Sequence, residues 1–197
     1  MINLAILASG SGTNAENIVL YFKRHKHIKI KLVASNKKEA FVLERVKKTG
    51  VSTMFFSKAE LNDGRLLSLL LKKKIVFIVL AGFLLKIPNM FIEKFKNKII
   101  NIHPSLLPKF GGLGMYGDNV HNAVLESGEQ ETGITIHLVD DVYDNGKIIF
   151  QKTLSINQNE TIKSLASNIR AMEHRYYPEK IENYVFGYLG LHKGSYI

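Results

Sequence analysis

Through its first half the chain alternates short apolar runs with helical patterns. The run Leu4-Ala5-Ile6-Leu7 has the length of a buried strand and leads into the small-residue loop Ala8-Ser9-Gly10-Ser11-Gly12-Thr13-Asn14. From there the pattern predicts a helix over residues 14–26, a strand over 28–35, a helix over 39–48 stopped by Gly50, and a strand over 51–56. Leu66, Leu69 and Leu70 give residues 61–74 a helical period. The longest apolar run, residues 75–85, opens with a central strand over 75–80. A short helix after Pro88 and a strand over 99–102 follow. This β-α-β-α rhythm predicts an α/β fold of Rossmann-like type, a mostly parallel twisted sheet with helices on both faces.

The second half has a different pattern. A Gly-rich stretch over residues 111–117 precedes a helical segment over 120–126. Strands over 135–139 and 147–154 flank the acidic turn Asp140-Asp141-Val142-Tyr143-Asp144-Asn145-Gly146, in which Asn145-Gly146 is a strong turn pair. A long helix is predicted to begin near Asn159 or Thr161, with Ile162, Leu165, Ala166 and Ile169 as its apolar stripe. No repeat, linker or low-complexity tract interrupts the 197 residues, which read as one domain.

Composition narrows the class. Run 75–85 is too short for a membrane span, which needs about 20 apolar residues. Met1-Ile2-Asn3-Leu4 lacks the basic start of a signal peptide. There is no Cys, which excludes disulfides, thiolate metal sites and a Cys nucleophile, and which fits the cytoplasm. Lys and Arg outnumber Asp and Glu by 27 to 17, a formal net charge of +10. The excess reads either as an anionic partner or as a Lys-, Ile- and Asn-rich composition. The spread of the lysines along the chain favours composition. The run Lys72-Lys73-Lys74 falls where a surface helix should end, and lysines there suit the helix dipole.

Gly10-Ser11-Gly12-Thr13-Asn14-Ala15 matches G-x-G-x-x-A between a strand and a helix. Glycines let the backbone approach an anion, and the helix start offers free N–H groups, so the loop is a phosphate cradle. By itself the motif is also compatible with a plain strand-to-helix turn. A dinucleotide site adds Asp or Glu at the end of the second strand. Here that strand ends Ala34-Ser35-Asn36-Lys37, without a carboxylate, so a phosphate ligand smaller than NAD is expected.

Asn101 and His103 stand two apart at a strand end and therefore point to the same side. That edge of a parallel sheet is where such folds bind ligands. An amide N–H₂ and an imidazole N–H directed at one point hold a developing oxyanion. The plainer alternative is a satisfied structural histidine. Asp144 closes the acidic turn. Beside an imidazole it would stabilise the charged form and raise its pKa. In isolation it is an ordinary turn residue. A metal reading of His137, Asp140, Asp141 and Asp144 lacks any fixed ligand spacing, and no metal is expected.

Taken together, these motifs resemble those of the phosphoribosylglycinamide formyltransferase family, folate-dependent enzymes of purine synthesis. The likeness runs through the loop at residues 8–14, Leu80-Ala81-Gly82-Phe83-Leu84, Asn101-Ile102-His103-Pro104-Ser105-Leu106-Leu107-Pro108-Lys109, Thr132-Gly133-Ile134-Thr135-Ile136-His137, Asp144-Asn145-Gly146, and Glu173-His174 with Tyr177-Pro178. It implies a formyltransferase fold, with residues 1–100 as a phosphate-binding half and 101–197 as a catalytic and folate-binding half. It implies transfer of a formyl group from 10-formyltetrahydrofolate to the amine of glycinamide ribonucleotide, giving formylglycinamide ribonucleotide and tetrahydrofolate. Asn101, His103 and Asp144 would be the catalytic trio, with Asn101 and His103 on the formyl oxygen and Asp144 keeping His103 charged. Gly12, Thr13 and Asn14 would cradle the substrate phosphate. Arg170 and Glu173, one helical turn apart, would reach the phosphate and the ribose hydroxyls. Leu84, Leu85, Lys86 and Ile87 would form the folate wall. Asn101 and the backbone of Asp140, Asp141 and Val142 would also contact the folate.

The chain departs from the family at Leu85, where Arg is common, and in a longer stretch over residues 109–119. The glycines of that stretch are expected to form a loop that closes over the substrates. The implied partners are small molecules, without nucleic acid or membrane, for a cytoplasmic monomer or homodimer.

Three other readings use the same residues. A formyl-folate hydrolase is expected to carry a regulatory domain ahead of the phosphate loop, which starts here at residue 8. Formyl transfer to an aminoacylated tRNA suits the charge, yet is expected to bring an RNA-gripping domain after the catalytic one. A non-enzymatic nucleotide-binding module would leave Asn101, His103 and Asp144 idle. Direct transfer to an amine needs no enzyme nucleophile, which agrees with the absence of a Ser elbow and of Cys.

Overall fold

Seven strands build one sheet in the computed structural model, which describes residues 1–191. They are β1 (Ile2–Ala8), β2 (Ile28–Ser35), β3 (Thr53–Phe55), β4 (Ile75–Leu80), β5 (Ile99–His103), β6 (Glu131–Leu138) and β7 (Ile148–Ser155). Across the sheet they stand in the order β3-β2-β1-β4-β5-β6-β7. Neighbours among β1 to β5 are parallel, while β6 and β7 pair antiparallel. The chain winds outward from β1 to β3 and returns to the other side of β1 at β4. Ligands of open α/β sheets bind at such a switch point, beyond the carboxyl ends of the strands.

Successive strand residues face opposite sides, so each buried strand feeds two cores. Leu4, Ile6 and Ala8 of β1 join a cluster covered by α1 (Thr13–Phe22), α2 (Phe41–Lys47), α6 (Asp118–Glu126) and α7 (Ile162–Tyr188). Ala5 and Leu7 join the other, covered by α3 (Lys58–Asn62), α4 (Arg65–Lys72) and α5 (Asn89–Lys94). This is the layered α/β arrangement expected from the sequence.

Two elements differ from expectation. The helix predicted over 61–74 is two helices. Ser57 and Glu60 form a capping box at the start of α3, and Gly64, at φ 82°, starts α4 afresh. Strand β6 begins at Glu131 instead of residue 135, because Glu131 to Ile134 pair with Ser155 to Lys152 of β7.

Helix α7, opened by a Thr161–Ser164 capping box, fixes the edge that matters for function. Tyr177, fully buried, donates its hydroxyl to the carbonyls of Leu80 (2.8 Å) and Ile100 (3.1 Å), tying together the ends of β4 and β5. The same helix lies along α1, where Asn17 donates to the His174 carbonyl at 2.7 Å and Tyr21 to Glu182 at 2.8 Å. The late helix is thereby part of the phosphate side, so the two halves expected from the sequence interlock. Among the described residues no helix is long and apolar enough to cross a membrane.

Candidate active site

Beyond the carboxyl ends of β1, β4 and β5 lies a cavity of about 430 Å³, in the range of small-molecule sites. Of the site residues expected from sequence, Gly12, Thr13, Asn14, Leu84, Leu85, Lys86, Ile87, Asn101, His103, Asp140, Val142, Asp144, Arg170 and Glu173 all line it. Asp141 does not: it is exposed on the outer side of the acidic turn, and the turn's neighbours face the cavity in its place.

One end of the cavity is the loop after β1. Gly12 is the N-cap of α1 at φ 77°, and a Cβ there would run into the side chain of Val42. Only glycine satisfies both demands. Arg45 holds the loop from behind, donating to the Ser11 carbonyl at 2.9 Å and to Glu16 at 2.7 Å. Opposite the loop, Asn14 donates to Glu173 at 2.8 Å, a contact spanning 159 residues of sequence. Burial pushes the Glu173 carboxyl above its usual range, against the Asn14 bond and the nearby Arg170. The Asn14 carbonyl oxygen is enclosed and without a partner.

Asn101 and His103 sit on β5 facing the cavity, as their spacing requires. Antiparallel pairing sets His137 of β6 directly across from Asn101. The Asn101 amide nitrogen lies 3.0 Å from His137 Nε2 and 3.5 Å from Asp144 Oδ1. His137 Nδ1 lies 2.8 Å from the Leu138 carbonyl, and its Nε2 also stands 3.6 Å from Asp144 Oδ1. Asp144, at φ 53°, turns its carboxylate into this group and accepts from the Gly112 N–H at 2.9 Å.

His103 is buried between two acceptors. Its Nε2 lies 2.7 Å from the Phe110 carbonyl and its Nδ1 3.5 Å from Asp144 Oδ2. Burial pushes the imidazole below its ordinary range, and His137 adds to this, against the upward pull of Asp144 and of the Phe110 carbonyl. Two opposed influences bear on the expectation that Asp144 holds His103 charged: Asp144 pulls the imidazole up, and desolvation of the imidazolium, the larger effect, pushes it down. Asp144 itself sits below the usual carboxylate range. Its burial pushes up, and His137, His103 and the Gly112 N–H together pull further down. The Asn101 amide and the His103 Nε2–H, expected to point at one open position, are instead engaged with His137 and Phe110.

Two histidines complete the lining and were not assigned to the site from sequence. His137 was visible in an anchor motif and in the metal reading set aside above. The alternation of Thr135 and His137 on a strand paired with β5 is the signal that finds it. His121, 5% exposed on α6, has an enclosed Nδ1 without a partner. Burial pushes it down, helped by Arg170 and His103 and opposed by Asp118. Its place follows from the path of the Gly-rich loop, whose residues 112–117 cross the cavity mouth with Leu113 85% exposed at the tip. No group of three or more His, Cys, Asp or Glu side chains suited to a metal ion occurs among the described residues.

Comparison with known proteins agrees with this geometry. The formyl transferase family matches residues 2–181. The chain is 38% identical over 91% of its length to a chloroplastic phosphoribosylglycinamide formyltransferase of Vigna unguiculata, and spans 59% of that protein. It is 32% identical to the phosphoribosylglycinamide formyltransferase of Escherichia coli, covering 98% of this chain and 92% of that one. A glycinamide ribonucleotide transformylase from Symbiobacterium toebii superposes with a TM-score of 0.87 at 33% identity, over 95% of this chain and 89% of that one.

Proposed function

Since the chain belongs to the formyl transferase family, we propose that it moves a formyl group from 10-formyltetrahydrofolate to the amine of glycinamide ribonucleotide, giving formylglycinamide ribonucleotide and tetrahydrofolate in de novo purine synthesis. The observation that carries this reading is the grouping of Asn101, His103 and Asp144 inside the cavity that also holds a phosphate cradle and an apolar wall.

The lining suits both substrates. The N–H groups at the start of α1 and the guanidinium of Arg170 offer positive charge to a phosphate. Glu173, braced by Asn14, offers acceptors to sugar hydroxyls. Leu84, Ile87, Val139 and Val142 give a flat heterocycle apolar contact, and backbone groups of the acidic turn remain available to its polar edge.

The folate supplies an activated formyl group. Asn101 and His103 stabilise negative charge on the formyl oxygen as the amine attacks, with no nucleophile from the enzyme. The acceptors on both sides of His103 favour its imidazolium once negative charge develops nearby. Asp144, lowered below the usual carboxylate range, supports that cation and relays the proton leaving the amine to N10 of the folate as the formyl C–N10 bond breaks. The reading assigns the protein to the cytoplasm as a monomer or homodimer acting on small molecules, without metal, nucleic acid or membrane.

A spectrophotometric assay tests it. A 10-formyl folate analogue and glycinamide ribonucleotide are given to the wild type and to His103→Ala, beside a blank without the amine. Turnover that requires the amine and collapses in the variant is expected. Folate release without the amine would overturn the transferase reading in favour of hydrolysis.

A further inference from the structure

The apolar wall over residues 81–87 belongs to no helix or strand, yet it must keep a fixed shape to hold a ligand. Much of what holds it comes from one buried serine. Ser9, 2% exposed, follows the last residue of β1 and precedes the phosphate loop. Its N–H donates to the Gly82 carbonyl at 3.0 Å. Its hydroxyl accepts from the Leu84 N–H at 3.0 Å and donates to Asn36 Oδ1 at 2.6 Å. Because Asn36 takes the hydroxyl proton, an oxygen lone pair is turned to Leu84.

Asn36 stands just past β2, where dinucleotide-binding sheets place the carboxylate that holds a ribose. Here that position is committed to the protein's own hydroxyl, and Asn36 itself does not line the cavity. We infer that Ser9, oriented by Asn36, is a positioning residue for the formyl donor: it sets the shape of the wall at Gly82 to Leu84 and fixes that wall to the strand end that carries the phosphate loop. The inference rests on the formyl-transfer reading above.

Donor binding tests it. A 10-formyl folate analogue is titrated into wild type, Ser9→Ala, Asn36→Ala and the double variant, with KM and kcat measured alongside. Ser9→Ala leaves the part-buried Leu84 N–H and the Asn36 amide oxygen without this partner, and an increase of about tenfold in donor Kd and KM is expected, with kcat and acceptor KM within about twofold. Asn36→Ala should raise donor KM severalfold from outside the cavity, and the double variant should match Ser9→Ala. Donor KM unchanged in both single variants, or single effects that simply add, would overturn the inference. So would a parallel loss of kcat and of both KM values. If Ser9→Ala does not fold, Asn36→Ala carries the same test alone. Failure of the wild type to bind the analogue would instead strike the formyl-transfer reading, and the inference with it.

Discussion

His103 Nε2 lies 2.7 Å from the carbonyl oxygen of Phe110, so the imidazole that faces the cavity is held by the first turn of the loop that crosses its mouth. Phe110 makes this contact at φ 56°, a conformation rarely adopted by a bulky side chain. On the far side of the ring, Asp144 occupies the left-handed region as well and is held by Gly112, two residues further along the same loop. Loop and catalytic group are therefore one hydrogen-bonded unit, and the residues in it should be sensitive as a unit.

Removing either donor proposed to turn from its resting partner, His137 or Phe110, to the formyl oxygen should slow turnover more than it weakens binding. Asn101→Ala and His103→Ala are each expected to lower kcat by roughly 10²–10³, the usual loss for one oxyanion donor. Their effects should be far from additive, because Asn101 and His103 share Asp144. Steady-state kinetics with both substrates saturating check this.

The acceptor end is predicted to separate from the donor end. Glu173→Gln keeps the size of the side chain and one oxygen for Asn14, but removes the carboxylate. Acceptor KM should rise about tenfold or more while donor KM stays within about twofold; a charge-assisted hydrogen bond of this kind is worth roughly 1.5–3 kcal/mol. Varying each substrate in turn gives the answer.

Stability should fall on mild acidification. Burial lowers His103, His121 and His174 below the ordinary imidazole value of about 6.5. The unfolded chain therefore takes up more protons than the folded one once the pH drops below about 6.5. The stabilisation is fully present above that value and is lost as the pH falls through the folded values. Glu173, shifted upward, acts in the opposite sense: its contribution is present below the unfolded carboxylate range and lost as pH rises through its folded value. His121→Gln should flatten the acid side of a melting-temperature profile, since each histidine contributes at most about 1.4 kcal/mol per pH unit. An unchanged slope would show that His121 is not shifted.

Two glycines of the β6–β7 hairpin should tolerate no side chain. A Cβ on Gly133 would run into the Lys152 carbonyl, and one on Gly146 into the Leu138 carbonyl. Gly133→Ala and Gly146→Ala should each cost about 3 kcal/mol or more, because both obstacles are backbone. Denaturant melts of the two variants measure this.

Tyr177→Phe should destabilise by about 1–3 kcal/mol, since the carbonyls of Leu80 and Ile100 would lose a buried donor. The same melts apply. Because Ile100 adjoins Asn101, a drop in kcat beyond the stability loss is also expected.

Much of this was legible in the sequence for definite reasons. Continuous apolar runs such as 75–80 mark strands buried on both faces, and the G-x-G-x-x-A loop marks the first strand-to-helix turn. The spacing of Asn101 and His103, two apart on one strand, sets their common side. What escaped depends on contacts between distant segments. The break at Gly64, in the left-handed region at φ 82°, is hidden by the local leucine periodicity. His121 reaches the site only because the Gly-rich loop carries α6 there, and His137 only because β6 pairs antiparallel with β5. The downward push on the His103 imidazole is a matter of burial, and burial is not written beside the residue.

Helix α7 closes the acceptor side by docking on α1, with Glu173 meeting Asn14 across almost the full length of the described chain. During synthesis, then, the phosphate loop emerges well ahead of α7 and waits for it. A ribosome-bound chain lacking α7 has its sheet-forming strands in hand but no acceptor pocket. Ligand binding thus reports that α7 is in place, and chains that stop before residue 162 should not be rescued from degradation by substrate.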